Sequence, residues 1–196
     1  MAGDTRRKNP KKEHFQHDIG GSMRFNPPKD WWVDEGNHQW LGLVDLINDL
    51  DFSRAVMMEI GTYAGESTSM FAASCKFLKV HTCDPWEFPH AFEMKMQFKT
   101  NTRYWDFIEH HRKCSEWIVD DFPNKYFDFV YIDGDHTYES VSRDITSWLP
   151  KIKTNGYIGG HDYRKQEWPE VVRAVNEKFD KHQIRTYRDG SWLYEL

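Results

Sequence analysis

The stretch Tyr126-Phe127-Asp128-Phe129-Val130-Tyr131-Ile132-Asp133-Gly134-Asp135-His136 is an apolar run that stops on an aspartate. A short run rich in aromatic and β-branched residues reads as a strand enclosed on both faces. After it, Tyr138, Val141, Ile145, Trp148 and Leu149 recur at helical spacing until Pro150 ends the pattern. Residues 126–150 are therefore a βα unit, and the same alternation continues on either side. Upstream, residues 55–60 form a buried-strand run, Gly61 to Gly65 a glycine-bearing turn, and residues 66–76 a helix. A second strand at 79–83 ends at Asp84, and a third at 107–112 shows Ile108, His110 and Arg112 in alternation. Downstream, Asn155-Gly156 turns the chain into a strand at 157–160. Pro169 then opens a helix buried through Val172, Val175 and Phe179. Finally, residues 184–188 and 191–194 flank Asp189-Gly190, the signal for a two-residue hairpin turn, so the last two strands should be antiparallel.

Five strands alternating with helices, then a hairpin, predict one α/β sheet, mostly parallel, with helices on both faces and one reversed strand. Such sheets bind ligands beyond the carboxyl ends of their strands. Trp40, Leu43, Val44, Ile47 and Leu50 form an amphipathic helix ahead of this unit, with Asn37 as N-cap. Residues 85–105 are dense in large side chains without a clean period, and helix packing is the simplest reading. Residues 1–28, basic through Arg6, Arg7, Lys8, Lys11 and Lys12, read as a flexible arm ending at Asn26-Pro27-Pro28, and residues 29–196 as a single domain.

Composition excludes several classes. With 39% hydrophobic and 16% aromatic residues among 196, the chain is not wholly disordered. A formal charge of -5 gives no general attraction to phosphate backbones, so nucleic acid is not the expected partner. No apolar run approaches the ~20 residues that span a bilayer, and the first thirty residues hold no signal-peptide core, which predicts a cytoplasmic protein without a membrane partner. Cys75, Cys83 and Cys114 lack C-x-x-C spacing and read as reduced, largely packed thiols.

The predicted strand ends carry the chemistry. In Glu59-Ile60-Gly61-Thr62-Tyr63-Ala64-Gly65 both glycines allow a ligand close to the main chain, and the carboxylate beside the turn suits a cationic group. Glu59 replaces the first glycine of G-x-G-x-x-G, so no pyrophosphate cradle is evident. Asp84 stands some twenty residues on, where a carboxylate can accept both hydroxyl protons of a ribose. Ser115 and Glu116 follow the third strand and could meet an adenine edge. Asp133, Asp135 and His136 end the fourth strand, and His161 and Asp162 the fifth. Like charges so placed are costly unless a cation or proton neutralises them, which points to Mg²⁺ or another divalent metal. His14, His17, His38, His90 and His182 read as surface residues, and His110 and His111 as structural.

Taken together, these residues resemble class I S-adenosylmethionine-dependent methyltransferases over roughly residues 37–196. The closest similarity is to small enzymes whose fourth strand ends I-D-G-D-H-x-Y, akin to metal-dependent sugar and catechol O-methyltransferases. The resemblance implies a Rossmann-like, doubly wound, seven-stranded sheet with an antiparallel C-terminal strand. It implies that Glu59, Gly61 and Gly65 surround the methionine part of S-adenosylmethionine and Asp84 holds the ribose. Trp86, Ser115 and Glu116 would border the adenine, and Asp133 would adjoin the cofactor. It maps a metal onto Asp133, His161 and Asp162, with His161 where relatives carry Asp, and the general base onto Asp135 or His136. The expected acceptor is a small sugar or phenolic hydroxyl; a homo-oligomer remains open. Asn26-Pro27-Pro28 resembles part of the motif of nucleic-acid amino-methyltransferases, but Lys29 interrupts it and a linker end is preferred. An NAD-dependent oxidoreductase and a non-catalytic scaffold are the competing functions.

Overall fold

The computed structural model describes residues 15–17, 23–25 and 41–196. Within the expected arm, β1 (Phe15–His17) and β2 (Met23–Phe25) pair antiparallel as a small sheet of their own. Asn26-Pro27-Pro28, Asn37 and Trp40 lie outside the described residues. The main sheet contains β3 (Ala55–Ile60), β4 (Phe77–Cys83), β5 (Ile108–His111), β6 (Phe127–Ile132), β7 (Ile152–Gly160), β8 (Arg185–Thr186) and β9 (Trp192–Glu195). Its order is β5-β4-β3-β6-β7-β9-β8, with β9 antiparallel to both neighbours and the other pairings parallel. This is the expected Rossmann-like, doubly wound sheet.

Two apolar layers sandwich it. On one face α1 (Leu41–Asp49) and α2 (Glu66–Ala73) bury Leu46, Ile47 and Phe71 against Met57 and Phe129. On the other, α5 (Tyr138–Trp148) and α6 (Pro169–Lys178) bury Ile145, Trp148 and Val175 against Met58 and Val130. β3 and β6 alternate between these layers, which is why their sequences are apolar on both faces apart from Glu59 and Asp128. Val175 and Phe179 are buried as expected, whereas Val172 is only half-buried and Val171 and Ala174 take the inward positions of α6 instead.

Four local expectations are corrected. Asn155-Gly156 does not precede a strand: β7 begins at Ile152, and a register shift opposite Phe127 and Phe129 absorbs the extra residues as a bulge. Asn155 takes φ 64° there. Asp189-Gly190 is not a two-residue turn; Thr186 pairs with Trp192, leaving a five-residue loop in which Asp189 accepts from Ser191 N at 2.8 Å. In residues 85–105, α3 (Ala91–Thr102) does form, but Phe92 is 73% exposed, so packing does not account for all its large side chains. Among the cysteines, Cys75 is exposed rather than packed.

The chain winds outward from β3 to β5, then returns to the other side of β3 as β6. The parallel strands therefore diverge at the β3–β6 boundary, where a crevice opens beyond their carboxyl ends. Gly61 closes its floor. Its φ is +88°, and a Cβ there would lie 2.0 Å from the Asp133 carbonyl oxygen, so only glycine lets the β3 and β6 tips approach so closely.

Candidate active site

A cavity of about 770 Å³ fills this crevice, bounded by Gly61, Asp84, Ser115, Asp133, His136 and Asp162. Its β3–β4 side is built from hydrogen-bonded loops. Asp84, at the end of β4, accepts from Thr62 N (3.2 Å) and Tyr63 N (2.9 Å) through Oδ2 and from Trp86 N (2.7 Å) through Oδ1. One carboxylate thus ties both loops together while still facing the cavity. Trp86 stands behind that wall. Its indole N–H donates to the Tyr63 carbonyl at 2.9 Å and its ring packs 4.0 Å from His110, so it shapes the loop and does not line the cavity. Gly65 opens α2 with φ 74°, and a Cβ there would meet the Phe98 ring at 2.5 Å.

Glu59 lies beneath the turn, fully buried and not in the cavity wall. Ser67 Oγ donates to it at 2.5 Å and Thr82 Oγ1 at 3.1 Å, with Thr68 Oγ1 also hydrogen-bonded. Burial pushes its carboxyl up to about 7, against the lowering effect of those hydroxyls. Next to the β5 end, in the short helix α4 (Ser115–Ile118), Ser115 Oγ donates to Asp144 Oδ1 at 2.5 Å, and Glu116 pairs with Arg143 at 3.1 Å. Asp144, which also faces the cavity, is pushed up to about 6 by burial. Neither Asp144 nor Arg143 is singled out by the sequence reading; the available signal is that Asp144 sits three residues after Val141, on the inward side of α5.

The β6–β7 side is ionic. His136 Nε2 lies 2.6 Å from Asp162 Oδ2 and 4.0 Å from Asp133 Oδ1, while His161 Nδ1 lies 3.1 Å from Asp162 Oδ1. The Asp133 and Asp162 carboxylates push the His136 imidazolium up to about 10. Burial opposes ionisation of Asp162, but the two imidazoles outweigh it and hold the carboxyl well below the usual range. Burial likewise opposes charge on His161, and Asp162 and Asp133 prevail to raise it. Asp135 also lines the cavity but is held at the start of α5: Thr137 N donates to it at 3.0 Å and Ser140 Oγ at 3.1 Å, and its carboxyl is lowered accordingly, by the Thr137 backbone first.

Asp133, His136 and Asp162 each offer a ligand atom within 4.8 Å of the others. His136 Nε2 is buried and, despite its short approach to Asp162, makes no well-aligned hydrogen bond. A buried imidazole nitrogen without an aligned partner, set between two carboxylates, is a donor set that fits a divalent ion. One imidazole with two carboxylates favours Mn²⁺, Fe²⁺, Co²⁺ or Zn²⁺ over Mg²⁺. The geometry differs here from the expected ligand set: His136 joins Asp133 and Asp162, while His161 steadies Asp162 from outside the triangle.

Comparison with known proteins agrees with this architecture. The family described as "Methyltransferase domain" matches residues 58–163. An uncharacterized protein of Acanthamoeba polyphaga mimivirus is 30% identical over 145 residues, 69% of this chain, and the chain spans 64% of that relative's length. Among solved structures, a SAM-dependent methyltransferase from Aquifex aeolicus superposes with a TM-score of 0.58 at 17% identity, covering 81% of this chain and 92% of that one. A SAM-dependent O-methyltransferase from Thermotoga maritima gives 0.52 at 15% identity, covering 69% and 48%. No described helix is long and apolar enough to cross a membrane. The matched segment runs from β3, through the glycine turn and Asp84, to the tips of β6 and β7, and on that match the chain belongs to the methyltransferase-domain family.

Proposed function

We propose that the protein is an S-adenosylmethionine-dependent methyltransferase acting on the oxygen of a small hydroxylated acceptor, a sugar or a phenol. One observation carries the reading: a single cavity has Gly61 as floor, Asp84 on one wall and the Asp133–His136–Asp162 cluster on the other. Support also comes from family membership and from the likeness to the Thermotoga O-methyltransferase.

When bound, S-adenosylmethionine supplies a methyl already activated on a sulfonium, and a divalent ion supplies Lewis acidity that lowers a hydroxyl pKa. Asp133, His136 and Asp162 are the residues that would hold that ion. The protein must then align the acceptor oxygen and accept its proton. Asp84 is the residue proposed to receive the ribose hydroxyls, its side chain already fixed by three backbone N–H groups. Gly61 and Gly65 keep the turn open for the methionine portion, with Glu59 supporting that turn from below. Ser115 and Glu116 border the adenine, joined by Asp144. Trp86 acts at one remove, by bracing the Tyr63 loop.

For proton removal, Asp135 already accepts from Thr137 N and Ser140 Oγ, so the proposed base is His136, in the state where Asp133 and Asp162 alone hold the ion, because a metal-bound imidazole nitrogen has no lone pair left for a proton. Its carboxylate neighbours hold it as the imidazolium, so proton acceptance improves as pH rises toward about 10. Incubation with methyl-labelled S-adenosylmethionine and sugar, catechol and nucleic-acid acceptors, with and without a chelator, tests the proposal. Label should appear on a sugar or catechol and decline with chelator. Label only on nucleic acid, or on no acceptor at all, would contradict it.

A further inference from the structure

A second constellation lies away from the strand tips, on the edge of the sheet. β4 and β5 pair in register His81 with Glu109 and Cys83 with His111, so His81, Glu109 and His111 project from the same face. His81 Nδ1 stands 3.1 Å from His111 Nε2, and Glu109 carboxylate oxygens lie 3.9 Å from the first and 3.8 Å from the second. All three offer ligand atoms within 4.8 Å of one another. His110, between the two β5 residues, faces the opposite layer beside Trp86 and Phe98.

From this geometry we propose that His81, Glu109 and His111 form a binding site for a divalent transition ion of the Zn²⁺ class, separate from the strand-tip cluster. A proton between the two imidazoles satisfies only that pair; Glu109 is too far from either to hydrogen-bond. The triangle of donors therefore has no protein group at its centre. His81 is only 4% exposed and is boxed by Phe122, Tyr126 and Phe127, none of which offers its ring a hydrogen-bond partner. Its Nε2 is buried without a partner, which leaves Nδ1 as the one nitrogen with polar company. The packing thus fixes where the first ligand points before any ion arrives.

Ligands around 2.0–2.1 Å from a tetrahedral Zn²⁺ lie about 3.3 Å apart, so the imidazoles are close to their ligating separation. Only the Glu109 carboxylate must shift, and its side chain is 48% exposed. Lys79 Nζ holds Glu109 Oε2 at 2.6 Å across the surface, and such exposed pairs compete weakly. Two imidazoles with one carboxylate select Zn²⁺, Co²⁺ or Ni²⁺ over Mg²⁺ or Ca²⁺, and the exposed side leaves room for water as a further ligand. An ion here would clamp the edge strand β5 to β4. The chain leaving β5 carries Lys113, Cys114 and Ser115 into the cavity wall, so the clamp would also steady that wall.

The test titrates Zn²⁺, and Co²⁺ for its visible absorption, into an Asp133→Asn/Asp162→Asn/His136→Gln background that removes the three strand-tip donors. One equivalent should bind with a four-coordinate Co²⁺ spectrum. Adding His111→Gln or Glu109→Gln should weaken binding by more than the about 10- to 100-fold that loss of an outer-sphere partner costs. Both positions are partly exposed, so these variants should fold, and a thermal melt without metal checks that they do. No binding in the background, or equal affinity in background and variants, would overturn the site.

Discussion

On the β3–β4 side of the cleft the Glu59 carboxylate is fully enclosed and met only by hydroxyls, whereas on the β6–β7 side Asp133 and Asp162 reach the cavity and face imidazoles. The first arrangement raises a carboxyl toward neutrality; the second keeps the Asp162 carboxyl ionised and its two imidazoles charged. Uncharged, rigid surroundings suit a region that shapes a turn around a ligand. Concentrated charge suits a region where a proton moves or a cation binds. The two halves meet at Gly61, whose missing side chain lets their backbones touch.

The sharpest contrast should come from Asp162→Ala. It removes the carboxylate shared by His136 and His161, and turnover should fall by roughly 10²- to 10⁴-fold, the range of a lost acid–base group. S-adenosylhomocysteine affinity, which the other half supplies, should stay nearly unchanged by calorimetry. Unaltered turnover would remove the β6–β7 cluster from the chemistry.

Next in size is the pH response of the buried half. The Glu59 carboxyl is raised from 4.5 to about 7 in the folded state, so the folded chain holds its proton more tightly than the unfolded chain. Its contribution is fully present below pH 4.5 and is lost as pH rises through about 7, a difference of roughly 3 kcal/mol. Glu59→Gln should abolish that slope in denaturation midpoints measured across this window. A parallel pH profile in wild type and variant would show that Glu59 does not titrate there. His136 acts in a higher window. Being raised, it contributes below pH 6.5 and loses that contribution as pH rises through about 10.

At the junction, Gly61→Ala should destabilise the fold by about 1–3 kcal/mol through strain at positive φ, and by more if the β6 tip cannot yield. Urea unfolding with an unchanged m-value reads this directly; wild-type stability would mean the tips are not in contact. The smallest effect expected is that of His161→Ala. Because His161 only braces Asp162, turnover should drop about tenfold, as for an outer-sphere partner. A loss as deep as that of Asp162→Ala would return His161 to the ligand set.

Much of this architecture is legible in the amino-acid sequence. β3 and β6 are buried on both faces and so announce themselves as apolar runs, and the acids ending the parallel strands follow from where those runs stop. Asp84, Asp133 and Asp162 therefore stand at the strand tips, as their positions in the sequence imply. Which imidazole joins the carboxylates is not legible, because it depends on how the chain turns after each tip, and no periodicity encodes that. Asn155-Gly156 misleads because the same left-handed preference that makes a turn also makes a bulge, and β6 decides between them by pairing on both sides of it. Asp144 escapes notice because its partner Ser115 is 29 residues away in sequence.

Titration of S-adenosylhomocysteine into the protein, beside Asp84→Ala and with NAD as a control, bears most directly on the cleft as a methyl-donor site. The nucleoside should bind wild type with about 1:1 stoichiometry and lose affinity sharply in Asp84→Ala, while NAD gives no heat. Binding of NAD alone, or S-adenosylhomocysteine affinity indifferent to Asp84, would contradict it.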